Sequence, residues 1–183
     1  MNLRVSSGVL RGRYIKVPDT NLRPTEEKVR SACFNTLFSM IEFENRVFLD
    51  LFSGSGILAF EAVSRGFSCA FSVEFNPKAV SQIKSAASDL GLTGQVSVVH
   101  GDVFSLDFAS LGRKFNTIFI DPPYVLGDKM PGLLDKIVDS GIIDEVCVIV
   151  VEGNGETLWQ KAGWSTKTKK FGGTYLSIFY NWE

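Results

Sequence analysis

Long apolar runs are missing from this sequence, and so are the residues that would build a metal centre or a disulfide framework. Nothing approaches the roughly 20 consecutive apolar residues of a membrane-spanning helix. The opening stretch, MNLRVSSGVLRGRYIKVP, has no apolar core of the signal-peptide kind. A cytoplasmic protein with no membrane partner is therefore expected. Only three cysteines occur in 183 residues, Cys33, Cys69 and Cys147, far apart and set among apolar neighbours. That odd, scattered set speaks against disulfides and zinc and for small buried hydrophobes. A single histidine, His100, leaves no His-rich cluster, so no metal is expected. Net charge is scarce as well, at −1. Its distribution is uneven, however. Residues 1–30 carry Arg4, Arg11, Arg13, Lys16, Arg23, Lys28 and Arg30 against Asp19, Glu26 and Glu27, a local excess of +4. A basic arm on a near-neutral body suits phosphate contact.

What remains is the balance of a globular domain: 45% hydrophobic and 21% charged residues in a chain long enough for one sizeable core. Residues 2–17 alternate about Ser6-Ser7-Gly8 like two short strands on a tight turn. Pro18 and Pro24 break the pattern. From Thr25, which can cap a helix, Val29, Ala32, Cys33, Thr36, Leu37 and Met40 recur at helical spacing. Strand-like runs then follow at 46–52, 69–75, 95–101, 115–121 and 145–152, their continuous apolar character suiting strands buried on both faces. Helical stretches at 56–65, 77–90 and 130–140 separate them, with Gly66, Gly91 and Gly141 as stop signals. A closing pair of strand-like runs meets at Gly172-Gly173. The expected fold is α/β: a sheet of about seven strands ending in an antiparallel hairpin. Residues 1–24 would form a basic hairpin arm and residues 25–183 the globular domain.

Sheets of this kind bind ligands at the carboxyl ends of their strands. The first such end reads DLFSGSG, residues 50–56. Gly54-Ser55-Gly56 lets the backbone turn sharply and lets a ligand approach bare main chain at a helix N-terminus. Leu58 stands where a dinucleotide fingerprint has its third glycine, and Asp50 would repel a pyrophosphate, so a nicotinamide cofactor is disfavoured. Asp50 instead suits an ammonium group. Glu74 ends the next strand, placed for two ribose hydroxyls, and Asp102 follows the third, placed for an adenine amine. Ammonium, ribose and adenine together describe S-adenosylmethionine.

The strand at 115–121 ends in Asp121-Pro122-Pro123-Tyr124. The prolines fix the direction in which the chain leaves the strand. The Asp121 carboxylate and the carbonyls of Asp121 and Pro122 form an acceptor cluster suited to an –NH2 group, and Tyr124 can lie against a flat base. Accepting from both protons of an exocyclic amine returns its lone pair for attack on a methyl donor. The tetrapeptide reads an amine and not a particular base.

These segments, together with LRVSSGVLRGRYIKVPD and LRPTEEKVRSACFNTLF, resemble the bacterial family that methylates the N2 amine of one guanine, guanine-966, in 16S ribosomal RNA. The resemblance runs over nearly the whole chain. It implies a Rossmann-like methyltransferase fold with a mostly parallel sheet, S-adenosylmethionine as donor with S-adenosylhomocysteine as product, and 16S ribosomal RNA within the 30S subunit or its assembly intermediate as partner of a monomer. It places Asp50, Gly54, Ser55 and Gly56 at the methionine end, Glu74 at the ribose, and Asp102 with Val103 near adenine. Asp121, Pro122, Pro123 and Tyr124 surround the target amine. Thr25 completes the donor site, and Arg4, Arg11, Arg13, Lys16 and Arg23 grip RNA. The basic arm is short beside the family's pattern, which leaves Lys167, Lys169 and Lys170 as a further basic surface. An adenine-N6 methyltransferase acting on RNA or DNA remains an alternative, as does a non-catalytic RNA-binding module.

Overall fold

The computed structural model describes residues 2–16 and 27–182. The chain divides into two compact units, Met1–Val103 and Phe104–Glu183. Pro18, Arg23, Pro24 and Thr25, the helix cap expected at Thr25 and the boundary expected between residues 24 and 25 all lie outside the described residues.

The first unit opens with β1 (Asn2–Arg4) and β2 (Tyr14–Lys16), an antiparallel pair with Leu3 opposite Ile15. Helix α1 (Glu27–Phe38), β3 (Val47–Leu51), α2 (Ile57–Ser64), β4 (Cys69–Glu74), α3 (Pro77–Asp89) and β5 (Val96–His100) follow. The three longer strands run parallel in the order β5-β4-β3. Their continuous apolar runs have the expected cause: β3 is covered on both faces, and Phe48, Leu49 and Leu51 are buried. Every residue of α2 is buried. A helix apolar all round belongs inside a core. Helix α3 is amphipathic instead. Asn76 caps it by accepting from Lys78 N–H at 2.9 Å, and Pro77 occupies its first turn, where the missing N–H costs nothing. Gly91, at φ +70°, closes it in the left-handed conformation. Phe34, Phe43, Phe48 and Phe67 pack ring on ring at centroid distances of 4.5–6.3 Å and knit α1 to β3.

One expectation is corrected here. The two N-terminal strands are not joined by a tight turn at Ser6-Ser7-Gly8 but by a loop spanning residues 5–13. Hydrogen bonds from Val5 N–H to the Arg13 carbonyl and from Gly12 N–H to the Val5 carbonyl close its neck. Arg11 N–H and Arg13 N–H turn the loop on itself, donating to the Gly8 and Leu10 carbonyls, while Ser6, Val9 and Leu10 spend their N–H groups on α2. The alternation read from the sequence therefore covers two three-residue strands and a docked loop.

In the second unit, β6 (Phe115–Ile120) is followed by a short 3-10 segment (Tyr124–Lys129), α4 (Met130–Asp139), β7 (Ile143–Gly153), β8 (Ser165–Phe171) and β9 (Thr174–Tyr180). The strand order is β6-β7-β9-β8; β6 and β7 are parallel, and β7-β9-β8 antiparallel. A register shift sits between Phe115 and Thr117, where Asn116 reaches out of the ladder to Asp144 Oδ2 at 2.9 Å. Gly172, at φ +60°, makes the turn between β8 and β9 as expected. With β3, β4 and β5, these four complete the seven mostly parallel strands of an α/β fold that closes in an antiparallel hairpin. Cys33 and Cys147 are buried, and Cys69 is half-buried. Among the described residues, no helix is long and apolar enough to cross a membrane, and no cluster of ligands could hold a metal ion.

Candidate active site

The turn after β3 is held in an unusual backbone. Phe52, Gly54 and Gly56 all adopt positive φ, at 64°, 53° and 73°. For the glycines this conformation is free; for a bulky residue such as Phe52 it costs about 1–2 kcal/mol. Such strain persists only where the surroundings fix it. Ser53 supplies the fixing: its N–H donates to the Val73 carbonyl at 3.1 Å, and its hydroxyl to the Asp50 carbonyl at 2.8 Å. Its own carbonyl accepts from Gly56 N–H at 2.7 Å. Gly56 is then the N-terminal boundary of α2, and a Cβ there would meet Ile83 side-chain atoms at 2.9 Å. Ser55 is buried, and its Oγ accepts from Ile57 N–H at 3.3 Å.

Two carboxylates flank this turn. Asp50 is fully buried in β3, opposite Ser72 of β4. Glu74 ends β4 and ties the turn to α3: Oε2 accepts from Gly54 N–H and Oε1 from Asn76 N–H, both at 2.7 Å. A carboxylate has about four acceptor positions, so each oxygen keeps a lone pair for a further donor. Two adjacent hydroxyls match that remaining capacity. The Glu74 carbonyl accepts from Gly101 N–H at 3.0 Å, which brings the end of β5 beside the end of β4. Asp102 is exposed just past that point, and Val103 is buried. The structure thus brings together Asp50, Gly54, Ser55, Gly56, Glu74 and Asp102 at the carboxyl ends of three parallel strands.

Sequence reasoning missed Phe75. It follows Glu74 directly and is 71% exposed, a large apolar ring left in solvent. Its carbonyl is paired with His100 Nε2 at 2.8 Å. This contact gives the lone histidine a local hydrogen-bonding role and steadies the strand end. An aromatic directly after an acid at a strand end was a signal available in the sequence.

In the second unit the tetrapeptide leaves β6 as the prolines dictate. Asp121 is half-buried, Pro122 buried and Pro123 exposed with φ −52° and ψ 134°. The Pro123 carbonyl accepts from Leu126 N–H at 2.9 Å and starts the 3-10 segment. Tyr124 is 49% exposed, and Val125 beside it is almost fully so. This edge offers an acidic group, backbone acceptors and a free aromatic face.

Arg4, Arg11, Arg13 and Lys16 are all exposed on the N-terminal hairpin. Arg23 and Thr25 lie outside the described residues. Lys167 and Lys170 are exposed and Lys169 half-buried on β8, with the Lys170 ammonium 4.8 Å from the centroid of the Tyr175 ring.

Residues 3–180 match the model of the family described as Conserved hypothetical protein 95. The chain is 36% identical over 183 residues to a Bacillus subtilis protein named "Putative rRNA methyltransferase YlbH", covering 97% of this chain and 98% of that one. It is 34% identical over 186 residues to the Escherichia coli protein named "Ribosomal RNA small subunit methyltransferase D", covering 99% of this chain and 90% of that one. The solved structure titled "Putative methyltransferase yhhF from Escherichia coli" superposes with a TM-score of 0.80 at 29% identity, covering 99% of this chain and 98% of that one.

Proposed function

The chain belongs to the family described as Conserved hypothetical protein 95, and we propose that it is an S-adenosylmethionine-dependent methyltransferase acting on the N2 amine of a guanine in 16S ribosomal RNA. The observation that carries the donor assignment is the glycine turn clasped by Glu74, with Asp50 at its base. Those groups fit the donor's parts. Bare backbone at Gly54 and Gly56 admits a carboxylate to the N-terminus of α2, Asp50 answers an ammonium, and Glu74 has capacity for two ribose hydroxyls. Phe75 offers a ring face for adenine, with Asp102 as acceptor for its amine and Val103 as apolar floor. Ser55 and Thr25 complete this donor half.

S-adenosylmethionine supplies an electrophilic methyl group on a sulfonium. The chain's own work is at the amine. The Asp121 carboxylate and the Asp121 and Pro122 carbonyls accept hydrogen bonds from its two N–H groups, drawing the nitrogen towards a tetrahedral shape with its lone pair available. Pro122 and Pro123 hold those acceptors in one direction, and Tyr124 lies on the base. Much of the rate then comes from positioning, which does not need a strong base. The proton leaves to Asp121 or water.

The RNA assignment draws on the relatives' names and on the cations of the N-terminal hairpin. Arg4, Arg11, Arg13, Lys16 and Arg23 suit phosphate contact. A ribosomal substrate implies a bacterial cytoplasmic enzyme. We take the 30S subunit or a late assembly intermediate as its substrate, the enzyme as a monomer, and guanine-966 as its target. Residues 1–24 would then serve as the RNA-gripping segment and 25–183 as the catalytic domain.

Incubation with labelled donor tests this reading. Small subunits from a strain lacking the protein are expected to take up label, and a duplex DNA control is not. Equal labelling of DNA would reject the ribosomal reading.

A further inference from the structure

The loop between β1 and β2 is fastened to one end of one helix. Ser6 N–H donates to Glu61 Oε1 at 2.7 Å, Val9 N–H to the Ser64 carbonyl at 2.8 Å, and Leu10 N–H to Ser64 Oγ at 2.9 Å. The Ser64 hydroxyl donates back to the Ser7 carbonyl at 2.5 Å. Arg65 reaches Ser6 Oγ through Nη2 at 3.0 Å and Glu61 Oε2 through Nε at 3.1 Å. Arg30 joins from α1, with Nη2 donating to the Arg4 carbonyl at 3.2 Å and Nε 3.9 Å from Glu61 Oε1. Burial lowers the Arg30 pKa, and the Glu61 charge opposes that shift. Glu61 itself has no exposed surface. At the tip, Gly8 has φ +80° and lies so close to α2 that a Cβ would sit 1.7 Å from the Ser64 carbonyl oxygen.

A carboxylate with two guanidinium partners is an expensive way to join a loop to a helix, because desolvation offsets most of the attraction and apolar packing would hold as well. What directional bonds add is orientation. The inward-facing groups of the loop are consumed by α2, while Arg4, Arg11, Arg13 and Lys16 stay in solvent. The opposite end of α2 begins at Gly56, the donor turn. Eight helical residues, about 12 Å of rigid rod, separate the two ends.

We propose that Glu61, Ser64 and Gly8 are positioning residues, which set the direction of the basic hairpin relative to the donor turn so that RNA is gripped in one register. This rests on the reading of the hairpin as an RNA contact. None of the three touches donor or base.

The test compares Gly8→Ala, Ser64→Ala and the double variant Arg11→Ala/Arg13→Ala, with KM and kcat on small subunits and calorimetry with S-adenosylhomocysteine. Gly8→Ala forces the loop off α2 and is expected to raise KM by about tenfold, equivalent to about 1.4 kcal/mol. Ser64→Ala is a mild change within a helix, so it keeps the test open if the glycine variant fails to fold. It is expected to raise KM about threefold, the loss of a hydrogen bond or two. Both should bind S-adenosylhomocysteine within about twofold of the parent and keep kcat. If the double arginine variant raises KM while neither positioning variant does, positioning is overturned and the RNA reading stands. Weakened S-adenosylhomocysteine binding in step with KM would mean general loosening and would also overturn it. An unchanged KM in the double arginine variant would remove the RNA reading and this inference with it.

Discussion

The glycine turn and the Asp-Pro-Pro-Tyr edge sit at the ends of β3 and β6, yet they are built on opposite plans. Around Gly54 the turn is tied down by hydrogen bonds: Ser53 bonds in three directions, and Glu74 clasps the turn and the start of α3. Past β6, two prolines and a short 3-10 segment leave Tyr124 and Val125 in solvent. On the proposed reading the donor is a small molecule of constant shape, which a preformed cradle suits. The acceptor is then one base of a large RNA, admitted from solvent and held by its edge and face.

That contrast can be broken by substitution, because acceptor-side changes should move turnover or affinity for the small subunit and donor-side changes affinity for S-adenosylhomocysteine. Asp121→Ala has the largest expected effect: kcat falls about 100- to 1,000-fold, the cost of removing a preorganised acceptor. Single-turnover kinetics would show it, while S-adenosylhomocysteine titration stays unchanged. Glu74→Gln comes next. It deprives either Gly54 or Asn76 of its acceptor and should weaken S-adenosylhomocysteine about 10- to 100-fold by calorimetry, reflecting a charged hydrogen bond of about 1.5–3 kcal/mol. Tyr124→Ala removes a stacking face of about 1–3 kcal/mol and should raise KM for small subunits roughly tenfold, with Tyr124→Phe close to the parent. The smallest effect lies away from both sites. The Lys161 ammonium is 2.6 Å from Asp139 and 3.5 Å from Asp135, and the Asp139 hydrogen bond first of all raises its pKa above the usual lysine value. A raised lysine pKa stabilises the fold below the unfolded value, and that contribution is lost as pH climbs through the folded one. Lys161→Met should therefore lower Tm by a degree or less at neutral pH, and by nothing in strong alkali.

The same contrast explains what could be read from the sequence. Strands covered on both faces advertise themselves as apolar runs, and β3 to β6 begin and end within a residue of the expected bounds. Gly66, Gly91 and Gly141 each take positive φ where a stop was expected. The places of Asp50 and Glu74 near the ends of β3 and β4 were legible because strand ends can be counted. The clasp of Glu74 on Gly54 was not, because it spans 20 residues and depends on how β3 and β4 lie side by side. Phe75 went unread because an aromatic after a strand usually means core. The loop over 5–13 was mistaken for a turn because its partners, Glu61 and Ser64, lie more than fifty residues away.

The identity of the methylated nucleoside tests the central claim most directly. Small subunits labelled by the purified protein, digested and resolved by chromatography, should carry the label in N2-methylguanosine. Label in N6-methyladenosine would contradict the account.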